Sequence, residues 1–267
     1  MNISDRPIGI FDSGVGGITV FKEIKKLLPG ENIIYFGDTK HNPYGSKSKD
    51  AVTRLSTENV RFLLGKKVKY IVVACNTASA LSLPFLKKIF SVPMSGVIEA
   101  GAKAALEITK NKKIGVIGTR ATIESGAYLK ALLKLDPKLK IKSLACPLFV
   151  PLVEEGWAGS KIAELTALEY LKIFMEFKAD TLVLGCTHYP FLKPVIGKIL
   201  KKTGLIDSAA ETAKAVRKEL EQKSLLRNNT AKPAYAFYVT DGPARFKKVG
   251  SSFLGYNIGP VKLIEME

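Results

Sequence analysis

Apolar and polar residues alternate along this chain on two different scales. Short apolar segments rich in Ile and Val are separated by longer segments in which apolar residues recur every three or four positions. The first pattern is typical of strands that are buried on both faces, and the second of amphipathic helices. The predicted strands are residues 8–12, 32–38, 70–74, 92–97, 113–119, 141–145, 181–185 and 235–240.

The predicted helices lie between these strands and begin or end at recognisable signals. Pro29-Gly30 ends the first helix, and Ser48 is a suitable N-cap for the second. Helices are predicted over residues 18–28, 48–62, 81–90, 99–109, 122–135, 162–177, 209–220 and 243–253, and loops over residues 147–157 and 222–232.

The order of the elements also repeats along the chain. Segment 8–10 matches segment 114–116 at an offset of 106 (114 minus 8), and Cys75 matches Cys186 at an offset of 111 (186 minus 75). We therefore predict two similar doubly wound α/β domains with mostly parallel sheets, which face each other across a crevice that holds the active site. The predicted first domain is discontinuous, with residues 1–97 plus 207–267, and the second covers residues 98–206.

The composition is that of an ordinary globular protein, with 46% hydrophobic and 24% charged residues in a chain of 267. The N-terminal segment lacks a basic start followed by an apolar stretch, and no apolar run approaches the ~20 residues that a membrane span needs. Three cysteines in a chain of this length do not form the dense disulfide framework of a small secreted domain. We expect a soluble, cytoplasmic protein with reduced thiols and no membrane partner.

The chain is strongly basic, with a formal net charge of +17. A basic surface can bind the phosphates of nucleic acids. However, the lysines are dispersed as pairs along predicted helix faces, and no arginine-rich arm, helix-turn-helix or aromatic stacking platform accompanies them. A solvated surface is the favoured interpretation and specific nucleic-acid binding is not expected, although a second binding role for the charge stays open.

Two predicted strands each deliver a cysteine to their carboxyl ends. Cys75 follows strand 70–74 in Ala-Cys-Asn-Thr, and Cys186 follows strand 181–185 in Gly-Cys-Thr-His. A single cysteine there would be interpreted as a small buried apolar residue, but two at equivalent positions of a repeat favour a shared function. Free amides at the start of the next helix favour anions, so both positions suit a thiolate or a substrate carboxylate.

Further polar residues are predicted at the same edge of the sheets. They are Asp12 and Ser13 after the first strand, Glu154 and Glu155 in the predicted loop 147–157, and His188. A carboxylate near one thiol, and a carboxylate with an imidazole near the other, could pass protons to and from the two sulfurs. For any one of these residues alone, a capping or surface role is an equally good interpretation.

Two other kinds of site share some of these features. Gly14-Val-Gly-Gly17 with Asp38 beyond it resembles part of a dinucleotide-binding fingerprint, but the third glycine is missing. Cys75, Cys186 and His188 could bind zinc, but the chain has no Cys-x-x-Cys pair, and tight tetrahedral sites usually show such spacing. A nicotinamide oxidoreductase and a zinc site are therefore less favoured.

Motifs along nearly the whole chain resemble those of the bacterial glutamate racemases, in the aspartate/glutamate racemase family. The matching segments are Phe-Asp-Ser-Gly-Val-Gly-Gly17, Gly-Asp-Thr39, Pro-Tyr-Gly-Ser46, Val-Ala-Cys-Asn-Thr-Ala78, Gly-Val-Ile-Gly-Thr119, Cys-Pro-Leu-Phe-Val-Pro151, Leu-Gly-Cys-Thr-His-Tyr-Pro190 and Phe-Leu-Gly255. The two cysteine motifs and the Asp-Ser-Gly turn are highly specific. One departure is Lys40-His41-Asn42, where the family usually carries an Ala-Arg-like pair, and it concerns the entry loop rather than the reaction.

This resemblance implies racemisation of glutamate by two bases, with no metal and no cofactor such as pyridoxal phosphate. It implies that Cys186 is the base toward L-glutamate and Cys75 the base toward D-glutamate. It assigns Asp12 to assist Cys75, and Glu154 and His188 to assist Cys186. The substrate contacts that it implies are Asp12, Ser13, Tyr44, Gly45, Asn76, Thr77, Thr119, Thr122, Thr187 and His188.

The resemblance also implies a biological destination, because D-glutamate is a building block of peptidoglycan. We further expect a homodimer. The preference for glutamate over aspartate rests on the resemblance alone, since an aspartate or broad-specificity racemase shares the two-cysteine arrangement. The third cysteine, Cys146, has no equivalent in the repeat, and we interpret it as structural.

Overall fold

Strands and helices alternate along the whole of the computed structural model, which describes residues 2–265. Residues 1, 266 and 267, which the predicted first domain includes, lie outside this range. The strands are β1 (Ile8–Asp12), β2 (Ile33–Gly37), β3 (Tyr70–Val73), β4 (Met94–Gly96), β5 (Lys113–Gly118), β6 (Lys140–Ala145), β7 (Thr181–Gly185), β8 (Gly204–Asp207), β9 (Tyr235–Val239) and β10 (Val261–Leu263).

The α-helices fall between the strands, close to most of the predicted positions. They are α1 (Ile18–Leu27), α2 (Lys49–Gly65), α3 (Asn76–Leu81), α4 (Leu83–Ile89), α5 (Ile98–Ile108), α6 (Arg120–Glu124), α7 (Ala127–Leu135), α8 (Phe149–Glu154), α9 (Lys161–Phe177), α10 (Lys193–Ile199), α11 (Ser208–Gln222) and α12 (Pro243–Leu254). Ser48 caps α2 as predicted, because its side chain accepts a hydrogen bond from the Ala51 amide. Within residues 2–265, no helix combines the length and the apolar character needed to cross a bilayer.

The strands form two parallel sheets. The first has the order β10-β9-β2-β1-β3-β4, and the second has the order β6-β5-β7-β8. The inner order β2-β1-β3-β4 of the first sheet is therefore the order of the whole second sheet, which makes the repeat in the sequence a repeat of topology. This confirms the prediction of two similar α/β units. We call the first sheet with its helices the first unit, and the second sheet with its helices the second unit.

Helices cover both faces of each sheet. In the first unit, Phe21 of α1, Val216 of α11 and Phe246 of α12 pack on one face. Leu63 of α2 and Leu86 of α4 pack on the other face. All residues of β1, β3 and β7 are buried, as expected for strands between two helical layers. The carboxyl ends of these strands are consequently left as the edge where side chains can meet a ligand.

Three predictions of local structure are wrong. The region of predicted helix 81–90 holds two helices that meet at Ser82, and the first of them, α3, begins directly after Cys75. Predicted helix 122–135 is interrupted at Gly126, whose φ of 64° is a left-handed conformation that glycine adopts readily. Predicted loop 147–157 contains α8, which has no side-chain cap at Leu148 and so no start signal in the sequence.

Candidate active site

Both predicted cysteines lie at carboxyl ends of strands in the structure. Cys75 is the N-cap of α3, where its Sγ accepts a hydrogen bond from the Ala78 amide at 3.5 Å. Cys186 directly follows β7, and both side chains are buried and free of disulfides. Each unit therefore contributes one buried sulfur to the edge where strands end.

The surroundings of Cys75 keep it protonated. Burial, and next the negative charge of Asp12, raise the pKa of the Cys75 thiol to about 12. Its Sγ lies 3.7 Å from the Ser13 hydroxyl, to which the thiol can donate. At neutral pH Cys75 is therefore a thiol, which is the form that can donate a proton.

Asp12 has one occupied oxygen and one free oxygen. Its Oδ1 accepts a hydrogen bond from the Gly14 amide at 2.9 Å, whereas its buried Oδ2 has no partner among residues 2–265. Burial raises the pKa of Asp12, and the charge of His188 opposes that rise without cancelling it. An unpaired buried carboxylate oxygen is costly unless a substrate or a proton occupies it, so Oδ2 marks a contact point for a ligand.

Cys186, His188 and Glu154 form a connected row. The Cys186 Sγ lies 3.8 Å from Nδ1 of His188, and Nε2 of His188 lies 3.0 Å from Oε1 of Glu154. Burial lowers the pKa of His188, but the hydrogen bonds and charges of Cys186 and Glu154 outweigh it and raise this pKa to about 10. Burial acts to raise the pKa of Glu154, but the hydrogen bond and charge of His188, together with Arg245 and Asn42, hold this pKa below its ordinary value. His188 is therefore an imidazolium at neutral pH, paired with a carboxylate.

Glu154 does not lie in a loop, which corrects its predicted position. It is the last residue of α8, while Glu155 next to it is exposed and pairs with Arg245 of α12 at 3.0 Å. Two residues that sequence reasoning missed also reach Glu154. Asn42 Nδ2 lies 3.5 Å from its Oε1, and Arg245 Nη2 lies 3.8 Å from its Oε2. Asn42 lies in the entry loop that departs from the family pattern, although nothing in the sequence linked it to Glu154, and Arg245 belongs to no recognisable motif.

Three of the predicted threonines meet across the two units. The hydroxyl of Thr77 on α3 lies 2.9 Å from that of Thr119 and 3.2 Å from that of Thr122, and the latter two are 2.9 Å apart. Thr119 also caps α6. Gly45 allows this close approach, because a Cβ there would lie 2.6 Å from Cβ of Thr119. The structure thus brings together hydroxyl donors from both units.

A second contact between the units involves Asn76. Its Oδ1 accepts a hydrogen bond from the Tyr128 hydroxyl at 2.8 Å, while its buried Nδ2 has no partner among residues 2–265. On the other side, Gly16 lies against Thr187 and His188, so closely that a Cβ would be 2.2 Å from Oγ1 of Thr187. Ser13 and Thr187 are buried at the same strand ends.

Tyr44 and Cys146 carry hydroxyl and thiol groups that have partners of their own. Tyr44 donates to Asp38 at 2.5 Å and accepts from Asn59 at 3.0 Å, so its hydroxyl is occupied within the first unit. Cys146 is buried with its Sγ 3.8 Å from the carbonyl of Leu144. This placement fits the structural interpretation of Cys146.

The rival sites find less support in the geometry. Asp38, the acidic residue of the partial dinucleotide fingerprint, is buried and accepts from Tyr44 and from Thr240. It is therefore committed to internal contacts rather than open to a ribose. Over residues 2–265, no three His, Cys, Asp or Glu side chains are grouped so that they could hold a metal ion.

The arrangement as a whole suits proton transfer at carbon. It combines a protonated thiol beside a carboxylate, a second sulfur beside an imidazolium, and hydroxyl and amide donors where the two units meet. Groups of this kind can remove and return a proton while donors stabilise the charge that develops.

Comparison with known proteins agrees with this chemistry. A family model described as Asp/Glu/Hydantoin racemase matches residues 16–216. A glutamate racemase from Geobacter metallireducens is 50% identical over 263 residues, which is 98% of this chain and 97% of that protein.

Solved structures give the same result. A glutamate racemase from Francisella tularensis in complex with D-glutamate has a TM-score of 0.93 at 39% identity, and covers 99% of both chains. A glutamate racemase from Bacillus anthracis has a TM-score of 0.95 at 41% identity, over 98% of both chains.

Proposed function

Because this chain belongs to the Asp/Glu/Hydantoin racemase family, we propose that it interconverts L-glutamate and D-glutamate with Cys75 and Cys186 as the two bases. The observation that carries the proposal is the pair of buried sulfurs at equivalent strand ends of the two units. The bound D-glutamate of the Francisella tularensis relative, in a fold superimposable over 99% of this chain, supports a small amino acid as the substrate.

In the direction from L-glutamate, Cys186 acts as a thiolate. Its sulfur takes the α-proton, so that a sulfur–hydrogen bond forms as the carbon–hydrogen bond breaks, and the electron pair is delocalised into the substrate carboxylate. The Cys75 thiol then gives its proton to the opposite face of the α-carbon and becomes a thiolate. The reverse direction uses the same two sulfurs with their roles exchanged.

The anionic intermediate needs donors, because the α-proton of an amino acid is only weakly acidic. The hydroxyls of Thr77, Thr119 and Thr122 and the free Nδ2 of Asn76 are the donors that the structure offers. They act in a buried site where hydrogen bonds to a developing charge are stronger than in water. These residues, with Asp12, Ser13, Thr187 and His188, are the proposed substrate contacts, and Tyr44 and Gly45 shape the wall beside Thr119.

The protonation states of Cys75 and His188 fit the proposed roles of the two sulfurs. Cys75 is a thiol, since its pKa is raised to about 12 by burial and Asp12. Cys186 stands beside an imidazolium, since the pKa of His188 is raised to about 10. Asp12 is proposed to assist Cys75, and Glu154 with His188 to assist Cys186. The thiol at Cys75 can deliver a proton, and the imidazolium of His188 lies where it can stabilise negative charge on the Cys186 sulfur.

The setting of the enzyme is proposed on further observations. The proposed domains are residues 1–97 plus 207–267 and residues 98–206, supported by β9 and β10, which join the first sheet, although Asp207 itself ends β8 of the second sheet. Three free cysteines, two of them in the proposed chemistry, support a reducing cytoplasm, where D-glutamate would serve peptidoglycan synthesis.

An exposed apolar stripe on α9, with Leu165 and Leu168, is a surface through which a homodimer could form.

The test is the circular dichroism of glutamate solutions mixed with the purified protein and no added cofactor. The signal of either enantiomer should decay to zero, and a requirement for added pyridoxal phosphate or metal would contradict the proposal. Cys75→Ser and Cys186→Ser should each abolish turnover, because a hydroxyl is far less acidic than a thiol. Cys146→Ser is the matched control and should keep most activity; normal racemisation by Cys186→Ser would refute the two-cysteine scheme.

A further inference from the structure

The Glu154 carboxylate touches more than its histidine. Its Oε1 lies 3.0 Å from Nε2 of His188 and 3.5 Å from Nδ2 of Asn42. Its Oε2 lies 3.8 Å from Nη2 of Arg245. Glu154 and His188 belong to the second unit, whereas Asn42 follows β2 and Arg245 lies on α12, both in the first unit. The row that ends at Cys186 is thus held from the opposite side of the crevice.

These contacts restrain a side chain that its own helix leaves free. Glu154 is the last residue of α8, where a glutamate has several rotamers to choose from. Asn42, 3.5 Å from one oxygen, and the charge of Arg245, 3.8 Å from the other, restrict the orientation of the carboxylate, which in turn orients Nε2 of His188. Orientation of the imidazole decides whether Nδ1 points at the Cys186 sulfur, 3.8 Å away.

We propose that Arg245 and Asn42 are positioning residues for the half of the reaction that takes place at Cys186. They act through Glu154 and His188 and are not themselves catalytic residues. The inference rests on the proposed function, because it concerns one of its two proton transfers. The charge of Arg245 also helps to hold the pKa of Glu154 below its ordinary value, after the larger effect of His188.

Glu155 helps to position Arg245. Its Oε1 lies 3.0 Å from Nη2 of Arg245, closer than Glu154 does, so it keeps the guanidinium in place at the mouth of the crevice. The pair is exposed, with 67% of the Arg245 side chain accessible to solvent. Exposed ion pairs are weak, so we expect Arg245→Ala to reduce kcat/KM by about two- to fivefold rather than to abolish turnover.

The decisive measurement is the primary isotope effect on kcat/KM with α-deuterated substrate in each direction. Deuterated L-glutamate reports on proton removal by Cys186, and deuterated D-glutamate reports on removal by Cys75. In Arg245→Ala and in Asn42→Ala, the transfer at Cys186 becomes more rate-limiting. The isotope effect with L-glutamate should therefore rise, and the isotope effect with D-glutamate should fall. The value of kcat/KM itself must drop equally in the two directions, because the two enantiomers have equal free energy.

Controls separate positioning from general effects of charge. Lys248→Ala removes a positive charge from the same helix at an exposed residue that has no carboxylate partner among residues 2–265, and should leave rates and isotope effects unchanged. Arg245→Lys keeps the charge and should recover part of the loss. In a Glu154→Gln background, Arg245→Ala should add little, because the residue through which it acts is already altered.

The outcomes that overturn the inference are specific. Isotope effects that stay equal to those of wild type in Arg245→Ala, or losses that add fully to those of Glu154→Gln, would overturn it while the proposed function stands. A wild-type protein that does not racemise glutamate would overturn the proposed function and this inference with it.

Discussion

At the scale of single residues, the most informative feature is that His188 is buried and yet charged. His188 is 3% exposed, and burial alone would favour its neutral form. The carboxylate of Glu154 at 3.0 Å and the sulfur of Cys186 at 3.8 Å reverse that preference and raise the pKa of His188 to about 10. Cys186 lies at the end of an apolar strand, and the imidazolium of His188 places a positive charge beside its sulfur.

The titration of His188 is directly measurable, because the chain contains only two histidines. In nitrogen-15 spectra, the signal of His188 is the one that is absent from the His188→Gln variant. In wild type at pH 8.5, this signal should still be that of an imidazolium. Glu154→Gln should lower this pKa, since it removes the negative charge that pairs with the ring. A wild-type midpoint near the ordinary value of 6.5 would contradict the assignment.

The same shift links pH to stability with a definite sign. A folded-state pKa raised from 6.5 to about 10 means that, between these values, the folded protein holds a proton that the unfolded chain has lost. The contribution of His188 is therefore complete below pH 6.5 and declines as pH rises toward 10. Between pH 6.5 and pH 8.5, the free energy of unfolding should therefore fall more steeply with rising pH for wild type than for His188→Gln.

At the scale of elements, the turn between β1 and α1 is where the first unit meets the loop that carries Cys186. Gly16 lies in this turn, and a Cβ there would lie 2.2 Å from Oγ1 of Thr187 and 2.5 Å from Cε1 of His188. Thr19 at the start of α1 also reaches the Thr187 carbonyl, at 3.4 Å. The turn therefore sets the distance between two elements that carry opposite halves of the chemistry.

Replacing Gly16 by Ala should damage catalysis more than stability. The added methyl must displace Thr187 or His188, and misplacement of about 1 Å can cost roughly 100-fold in rate. The overpacking should also cost about 1–3 kcal/mol of unfolding free energy, measured by urea denaturation.

Gly197→Ala is the matched control for Gly16→Ala. Gly197 lies within α10 and a Cβ there meets nothing within 4 Å, so the same chemical change should stabilise the protein by about 0.5–1 kcal/mol and leave the rate unchanged. Wild-type activity in Gly16→Ala would show that the turn does not set the geometry of the site.

Strands were the elements that the sequence predicted best. The segments 8–12 and 181–185 agree with β1 and β7 to the residue, because strands covered on both faces are mostly apolar, here with Asp12 and Thr181 as polar end residues. Helix breaks were not predictable: Gly126 interrupts a continuous amphipathic pattern, and α8 begins without a capping side chain. Periodicity reports burial, and it does not report where the backbone turns within a buried face.

Some residues of the candidate site could be predicted from the sequence, and others could not. The sequence placed Cys75 and Cys186 each at the carboxyl end of a strand, because an apolar strand segment ends just before each of them. Arg245 could not be predicted, because it lies on α12 and meets Glu154 only after the two units have come together. Contacts that depend on the relative position of two units leave no local pattern in either segment.

At the scale of the whole molecule, distant segments of the chain are tied together at the opposite edge of the first sheet. Lys69 and Glu31 form a buried ion pair at 2.5 Å, with side chains 0% and 3% exposed. Lys69 also donates to the carbonyl of Ser4, and Glu31 accepts from the amide of Arg227. The cluster therefore joins the N-terminal segment, the turn after α1, the start of β3 and the long polar connection before β9.

Lys69→Met should destabilise the protein by about 3–5 kcal/mol, because it leaves the Glu31 carboxylate buried without its cation. The double variant Lys69→Met with Glu31→Leu should recover part of that loss, since an apolar pair needs no counter-charge. Recovery should be incomplete, because the Ser4 carbonyl and the Arg227 amide lose their partners. Urea denaturation of both variants measures these differences.

Lys172→Met provides the matched comparison, because Lys172 pairs with Glu169 at the same 2.5 Å but with 55% and 73% of the two side chains exposed. Because the two ion pairs have the same length and differ in burial, a difference in their stability loss reports the effect of desolvation. The exposed pair should contribute less than about 1 kcal/mol to the free energy of unfolding. A cost for Lys69→Met as small as that for Lys172→Met would show that the connection before β9 is held by its apolar contacts alone. The racemisation rate of folded Lys69→Met should equal that of wild type, since the cluster lies at the amino ends of the strands and the two sulfurs lie at the carboxyl ends.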